Sequence, residues 1–198
     1  QLKYIKDFIN FKNNFLKENF PTKFLDVNTI YKNLLNDIKD HIDNNNIISS
    51  FDKKGNIIRY NDASVLLAYC HINFDKEITN ELPLEFTLNT CNELLLYFNS
   101  KYKKEYNLIG RYKEDKYYNG HSWIICSLAL VQIYNELYSN NKNKYINHYI
   151  LANKIYDFII SIDVNLDLAE QYDPVNNIQL SAHKLTWNYS ELYFSIKN

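Results

Sequence analysis

The sequence predicts an all-α fold, and three observations support this prediction. Apolar residues recur every three or four positions through much of the chain, which is the spacing of one face of an α-helix. One segment, Trp123–Val131, is apolar almost all round, as a helix buried on every side would be. No segment has a convincing strand pattern. We therefore expect about seven helices, arranged in two layers.

The first half of the chain contains four predicted helices. Pro21 ends the first, and Asp26 and Asp62 are suitable N-caps for the second and third. Pro83 suits the first position of the fourth helix. The first helix ends near Asn19 and has the apolar residues Leu2, Ile5, Phe8, Ile9, Phe15 and Leu16; the second has the apolar stripe Val27, Ile30, Leu34, Ile38 and Ile42 and ends at Asn44–Asn46. An extended or turn segment over Ile47–Ile58 leads to the third helix, in which Leu66, Leu67 and Cys70 face inward. A loop over His71–Leu82 precedes the fourth helix, which runs from Pro83 to about Tyr102.

The second half contains three more predicted helices, separated by polar segments. The almost entirely apolar helix from Trp123 should continue to about Tyr138, with a more polar far end. Ser139–Lys144 is rich in asparagine and lysine, which is typical of a turn. A helix from about Ile146 to about Ser161 follows, and the last helix should open at Gln179 or Ser181 and run to the C-terminus.

Composition excludes several classes of function. The 198 residues carry a net charge of -1, so the chain lacks the basic excess of a nucleic-acid-binding or anionic-membrane surface. No run of 18 apolar residues exists, so we expect no membrane span. The three cysteines have no paired spacing and apolar neighbours, which favours buried free thiols. The five histidines show no ligand spacing, so we expect neither a metal nor a cofactor.

Residues Gly110–Trp123, here called the central segment, concentrate the residue types that this chain otherwise lacks. The segment holds two of the three glycines, one of the two tryptophans and, in Arg111, one of the two arginines. Glycine permits unusual backbone geometry, and arginine offers a planar fork of donors. Aromatic rings, a guanidinium and the carboxylates of Glu114 and Asp115 suit a sugar, whose faces stack and whose hydroxyl groups need fixed partners. The alternative is a solvated interhelical loop with a structural aromatic cluster.

Three segments resemble the fungal-type glucoamylases, which form glycoside hydrolase family 15. The central segment reads Gly-Arg-Tyr-x-Glu-Asp-x-Tyr-Tyr-Asn-Gly-x-x-Trp, as in that family. A second segment, Ala169–Tyr189, begins Ala-Glu-Gln-Tyr-Asp-Pro and is similar to the closing part of the same catalytic domain. A weaker match covers Asn61–Phe74. The three lie in the family's order, whereas residues 1 to 58 show no match of this kind.

The resemblance implies a fold and a setting for the chain. The family builds twelve helices into an (α/α)6 barrel, and about seven helices would form a little over half of it. The chain contains no methionine and begins with Gln1, so we expect a segment of a longer product. Residues 1–198 are then a single partial domain, the C-terminal portion of a glucoamylase-like catalytic domain. Its partner would be the remaining half of that domain, and the family suggests secretion or a vacuole.

The resemblance also implies roles for seven residues. Inverting hydrolysis needs one carboxyl group to protonate the leaving oxygen and another to deprotonate a water molecule. The implied roles are general base for Glu170, orientation of the base for Gln171, a hydrogen bond to the sugar for Arg111, organisation of its loop for Asp115, substrate contact for Tyr112, an aromatic platform for Trp123, and the end of the pocket for Trp187. The residues by themselves allow other roles. These are an ion pair at a helix cap for Arg111 and Asp115, a solvated amide for Gln171, and core packing for Trp123 and Trp187.

The general acid is not found by the resemblance. The family places it in a Trp-Glu-Glu segment, which this sequence does not contain. We therefore predict that the isolated chain cannot hydrolyse the α-1,4 glucans or maltooligosaccharides that the family takes as substrates. Two alternatives remain: a non-catalytic domain, such as the glucoamylase-like domain of phosphorylase kinase regulatory subunits, and a helical scaffold without a ligand. The sequence departs from the family at Lys113, at His121-Ser122 and at His183-Lys184. The resemblance therefore does not establish how rigid these loops are or which local ion pairs they form.

Overall fold

The computed structural model describes residues 6–7 and 27–196, and the all-α prediction is confirmed. Between residues 27 and 196 the chain forms seven α-helices: α1 Val27–Lys39, α2 Ser64–His71, α3 Lys76–Glu81, α4 Thr87–Tyr102, α5 Ile124–Asn140, α6 Lys142–Ser161 and α7 Thr186–Ile196. Two short 3-10 turns, Leu84–Phe86 and Tyr117–Gly120, lie between them. None of the helices in this described part is long and apolar enough to cross a membrane.

Helix α5 forms the centre of the core, as its composition predicts. Every residue from Ile124 to Asn135 is buried, and helices α2, α6 and α7 pack around it. Full burial of a side chain such as Leu128 contributes about 1.5–3 kcal/mol of transfer free energy. Two polar side chains of α5 contact α7 within this core: the Gln132 amide donates to the Glu191 carboxylate at 2.5 Å, and the Asn135 amide donates to the Ser195 carbonyl at 3.4 Å. These contacts fix α7 against α5.

Seven short strands occur where the sequence shows no strand pattern. They are β1 Ile42–Asp43, β2 Asn46–Ile47, β3 Ser50–Phe51, β4 Ile57–Arg59, β5 Ser122–Trp123, β6 Gln171–Asp173 and β7 Ile178–Leu180. The antiparallel pairs β1–β2 and β3–β4 cover the predicted extended or turn segment. Strands β5, β6 and β7 form a three-stranded antiparallel sheet, which was not predicted because two or three residues are too few for a periodic pattern.

Several predicted boundaries in the first half differ from the structure. Helix α1 ends at Lys39, because Ile42 pairs with Ile47 in the β1–β2 hairpin. The predicted loop His71–Leu82 contains α3, whose first turn is capped by the Asp75 carboxylate. The predicted end of the fourth helix at Tyr102 is confirmed. Of the first predicted helix only residues 6–7 are described, and they are helical; the rest of it, Pro21 and the predicted cap Asp26 lie outside the described residues.

In the second half, two predicted boundaries are wrong and one is confirmed. The predicted turn Ser139–Lys144 is almost entirely helical, because α5 continues to Asn140 and α6 begins at Lys142. The Asn141 side chain between them accepts a hydrogen bond from the Lys144 N–H at 3.1 Å and caps α6. The last helix begins at Thr186, since residues 178–180 form β7. Helix α6 ends at Ser161, as predicted.

Candidate active site

The three-stranded sheet joins the central segment to Ala169–Tyr189, here called the second segment. Trp123 lies opposite Gln171, and Ser122 lies opposite Tyr172. The Ile124 N–H donates to the Glu170 carbonyl oxygen at 3.1 Å, at the point where α5 begins. The sheet therefore places two motifs that are almost 50 positions apart side by side, at the N-terminal end of the core helix α5.

Arg111 and Asp115 form a two-pronged ion pair within the central segment. Arg111 Nε and Nη2 donate to the two Asp115 carboxylate oxygens at 2.8 and 2.6 Å. The Asp115 side chain is only 2% exposed, whereas that of Arg111 is 36% exposed. Burial raises the pKa of Asp115, but the hydrogen bonds from Arg111 and from the Tyr117 N–H outweigh it and hold this pKa below its ordinary value. Asp115 is therefore an ionised anchor that fixes Arg111.

Aromatic rings surround the Arg111 guanidinium. Its carbon Cζ lies 4.5 Å from the Trp123 ring centroid and 5.5 Å from the centroids of both Tyr112 and Tyr117. The Tyr117 and Trp123 rings are themselves 5.9 Å apart. This arrangement supplies apolar faces for the C–H surface of a sugar ring, with a partly exposed charged donor beside them.

Glu170 is half-buried and directly precedes β6. Its N–H donates to the Ala182 carbonyl at 2.7 Å, so its backbone is held on both sides, by the second segment and by α5. Its carboxylate oxygen Oε2 accepts a hydrogen bond from the Ser181 hydroxyl. Ser181 Oγ in turn lies 3.0 Å from Tyr117 Oη of the central segment. A chain of side-chain contacts therefore links Glu170 to the aromatic rings around Arg111.

Gln171 is fully buried beside Glu170. Its Nε2 donates to the Tyr117 carbonyl oxygen at 3.4 Å, which is a second link between the two segments. Its Oε1 is buried and has no hydrogen-bond partner among the described residues. A buried amide oxygen of this kind is expected to be satisfied by water or by a ligand.

Trp187 occupies the first turn of α7, and 64% of its surface is exposed. The next residue, Asn188, is fully buried, and its side-chain amide donates to the Ala169 carbonyl at 2.7 Å. Asn188 thereby holds the backbone immediately before Glu170, a role that the sequence reasoning missed. Its position within the second segment was the one available signal, since the residue type alone indicates nothing.

Tyr112 connects the central segment to the region around the weaker sequence match. The Arg59 guanidinium stacks over the Tyr112 ring at 3.7 Å, and Arg59 Nη1 donates to Asp62 Oδ2 at 3.0 Å. The Ala63 N–H donates to the Arg111 carbonyl at 2.8 Å. A groove of about 440 Å³ adjoins this cluster, lined by residues 57–61 and 113–114. The residue before α2, Ala63, therefore binds the backbone of the central segment at Arg111.

A second ionisable cluster joins His121, which directly precedes β5, to Asp173 of β6; His121 is one of the positions where the sequence departs from the family. His121 Nε2 lies 3.8 Å from Asp173 Oδ2, and its ring stacks on that of Tyr102. Burial lowers the pKa of His121, and the charge of Asp173 opposes this effect only in part. Burial would raise the pKa of Asp173, but hydrogen bonds from Asn176 and the Val175 N–H lower it.

The site combines a carboxylate, an anchored cation, a buried amide and aromatic faces, and these groups together suit a carbohydrate ligand. Within the described residues, no three His, Cys, Asp or Glu side chains lie together as metal ligands would. The three cysteines are free thiols, and Cys91 and Cys126 are buried, as predicted. Six of the seven predicted site residues thus share one region, while Trp187 lies exposed at the start of α7.

Comparison with protein-family models finds a match over most of the chain. The model of the family described as Glycosyl hydrolases family 15 matches residues 23–162, which is more than two thirds of the chain. The match begins earlier than Asn61, where the resemblance of individual motifs begins. It includes Arg111, Tyr112, Asp115 and Trp123, and it ends before the second segment.

Proposed function

This chain belongs to glycosyl hydrolases family 15, and we propose that it is the base-carrying part of an inverting glucoamylase. Membership supports glycosidase activity on a carbohydrate substrate, and the helices are those of part of an (α/α)6 barrel. The proposed reaction is that of a glucan 1,4-alpha-glucosidase, which releases glucose from the nonreducing ends of α-1,4-linked glucans. The observation that carries this proposal is the Glu170 carboxylate, which is bound by Ser181 and linked through it to Tyr117 of the central segment.

Glu170 acts as the general base in the proposed mechanism. The Ser181 hydroxyl binds Oε2 and orients the carboxylate, which leaves Oε1 to take a proton from water. That water attacks the anomeric carbon from the face opposite the leaving oxygen, so the configuration inverts. The two carboxyl groups of such a site lie about 6.5–9.5 Å apart, which leaves room for the water.

The neighbouring residues bind and orient the sugar. Asp115 anchors Arg111, whose exposed edge donates to a sugar hydroxyl next to the cleaved bond. The rings of Trp123 and Tyr112 supply apolar faces near the guanidinium. Gln171 directly follows Glu170 and orients the base, and its buried Oε1, which has no hydrogen-bond partner among the described residues, accepts from a water molecule. Trp187 would contribute from the end of the pocket.

The general acid comes from outside these 198 residues in this mechanism. A general acid needs a raised pKa so that it carries a proton at working pH. The pKa values of Asp115 in the central segment and of Asp173 in the second segment are both lowered. The remaining half of the catalytic domain would supply the acid, and the exposed apolar side chains of Phe194 and Ile196 on α7 fit a surface that this half covers.

The test replaces Glu170 with glutamine in the complete gene product that contains this chain. Loss of the base should lower kcat for maltooligosaccharides about 10²–10⁴-fold and leave KM nearly unchanged. Glu105→Gln is the matched control, because Glu105 is an exposed glutamate outside the two segments. Equal turnover by Glu170→Gln and the unchanged protein would exclude Glu170 as the base.

The isolated 198-residue chain separates the alternatives. We expect it to bind maltooligosaccharides in calorimetry without releasing glucose. Hydrolysis of maltose by the pure chain, abolished by Glu170→Gln, would show that the acid lies within these residues. Saccharide binding without turnover by the complete gene product would identify a non-catalytic member of the family, and no binding at all would favour a helical scaffold.

A further inference from the structure

The turn Tyr117–Gly120 in the central segment has an unfavourable backbone. Tyr118, Asn119 and Gly120 have φ values of 45°, 58° and 58°, so three consecutive residues are in the left-handed region. L-residues rarely adopt this conformation, and an aromatic residue does so only where the surroundings hold it. Gly120 has no room for a side chain, because a Cβ atom would lie 2.1 Å from the Asp115 carbonyl oxygen.

A lysine from another element binds this turn. Lys101, in the last turn of α4, donates from Nζ to the Asn119 carbonyl at 2.6 Å and to the Gly120 carbonyl at 2.5 Å. The left-handed backbone points these two successive carbonyl oxygens at one cation. Burial lowers the pKa of Lys101, whereas the negative charges of Asp115 and Asp173 oppose the shift. The ammonium group is thus half-buried in a polar cluster beneath the site.

In addition to the sheet, the turn provides contacts between the two segments. Tyr117, its first residue, packs its ring on that of Trp123, and its hydroxyl lies 3.0 Å from Ser181 Oγ. Its carbonyl accepts from Gln171. A displacement of the turn would therefore move the aromatic platform and the support of the Glu170 carboxylate together.

We propose that Lys101 is a positioning residue for the saccharide site, whose two hydrogen bonds hold the Tyr117–Gly120 turn in its binding conformation. This inference rests on the proposed function for the identity of the ligand, and on geometry alone for the role of the lysine. Lys101 touches no substrate. It acts through the turn, on Tyr117 and Trp123.

The experiment compares Lys101→Met, Lys101→Arg and Lys113→Met in the 198-residue chain. Methionine keeps the length of the side chain and removes the charge and the donors. We expect Lys101→Met to weaken binding of a maltooligosaccharide about tenfold, the loss expected when a turn is no longer held by hydrogen bonds to a charged group. Lys101→Arg should restore most of the affinity. Lys113→Met is the control, because Lys113 pairs with the Glu93 side chain at 2.9 Å instead of binding the turn.

Two further readouts separate failure of this inference from failure of the proposed function. In a Trp187→Phe background, Trp123 is the single tryptophan, and its fluorescence reports the packing of the turn. We expect Lys101→Met to shift its emission to longer wavelength and increase acrylamide quenching, with the fold retained by circular dichroism. In Lys101→Ala, propylammonium chloride should reverse the shift, whereas sodium chloride at equal ionic strength should not.

Each outcome bears on one of the two claims. Unchanged Trp123 emission in Lys101→Met would overturn the positioning role, and so would an altered emission with unchanged saccharide affinity. If the unchanged chain binds no saccharide, the proposed ligand is wrong. The fluorescence shift and its reversal by propylammonium would then still support the contact between Lys101 and the turn.

Discussion

Replacement of Arg111 with methionine tests the ion pair on which the candidate site is built. The substitution removes the two hydrogen bonds to Asp115, at 2.8 and 2.6 Å, and keeps most of the apolar stem. Asp115 then retains the hydrogen bond from the Tyr117 N–H at 3.0 Å but loses its positive partner. A nearly buried carboxylate thereby loses the positive charge that is hydrogen-bonded to it.

The size of the effect follows from the burial of the two partners. Breaking a buried ion pair by removing one partner costs about 3–5 kcal/mol. The Asp115 side chain is 2% exposed, but that of Arg111 is 36% exposed, so solvent screens part of the interaction. The free energy of unfolding should therefore fall by about 2–3 kcal/mol at neutral pH.

The pH dependence has a definite sign. The folded-state pKa of Asp115 is lowered, so its stabilising contribution is present above the unfolded-state pKa, about 3.9. This contribution is lost as the pH falls through the lower folded-state value. The difference in unfolding free energy between the unchanged chain and Arg111→Met should accordingly be constant at neutral pH and shrink in acid, where Asp115 binds a proton.

Urea unfolding at a series of pH values measures this difference. Arg59→Met is the matched control: Arg59 also pairs with an aspartate, Asp62, but through one hydrogen bond at 3.0 Å. We expect it to cost less stability, and to reduce affinity for maltooligosaccharides less than Arg111→Met does. A destabilisation by Arg111→Met that is equally large at neutral pH and below the folded-state pKa of Asp115 would refute the role of this ion pair.

Three further predictions concern the glycines, the support of Glu170 and the thiols. Gly120→Ala should lower the unfolding free energy by about 3 kcal/mol, because it adds a steric clash to a left-handed backbone, whereas Gly55→Ala, with open space around it, should cost about 1 kcal/mol; thermal unfolding of the two variants checks the ranking. Asn188→Ala should lower the unfolding free energy by about 1–3 kcal/mol and weaken saccharide binding, because the Ala169 carbonyl loses its hydrogen-bond donor. Calorimetry tests this, with Ser190→Ala as the control at an exposed position. Burial raises the pKa of Cys91 to about 12 and that of Cys126 as well, so mass spectrometry should show alkylation by iodoacetamide at pH 8 only after unfolding; rapid labelling of either thiol in the folded chain would contradict its burial.

The sequence predicted the long helices well because their hydrophobic pattern extends over several helical turns. Helix α5 is apolar on every side and lies at the centre of the core, as expected. The ends of α4 at Tyr102 and of α6 at Ser161 also agree. These segments contain several helical turns each, so the periodicity of burial outweighs local preferences.

Short elements were missed because tertiary contacts decide them. Helix α3 has only six residues, and one of them, Ile78, is buried, so no periodic stripe exists to detect. The polar run Ser139–Lys144 has the composition of a turn, yet it forms the exposed ends of two helices that meet at Asn141. Strands β6 and β7 form because they pair with each other and, through β6, with Trp123.

The candidate site could be predicted in its residues but not in its connections. The resemblance of the two motifs to the family supplied Arg111, Asp115 and Glu170 as candidate residues. Nothing in the sequence indicates that Ser181 links Glu170 to Tyr117, because that contact joins side chains 64 positions apart. The contact of Lys101 with the turn likewise depends on how α4 packs in three dimensions.

The anomeric form of the first glucose released tests the central claim most directly. Proton NMR during the first minutes of maltooligosaccharide hydrolysis by the complete gene product distinguishes the two forms before they equilibrate. If Glu170 activates water in a single displacement, β-glucose should appear first, and Glu170→Gln should abolish its release. Initial release of α-glucose, or of β-glucose at an unchanged rate by Glu170→Gln, would contradict the assignment of Glu170 as the general base.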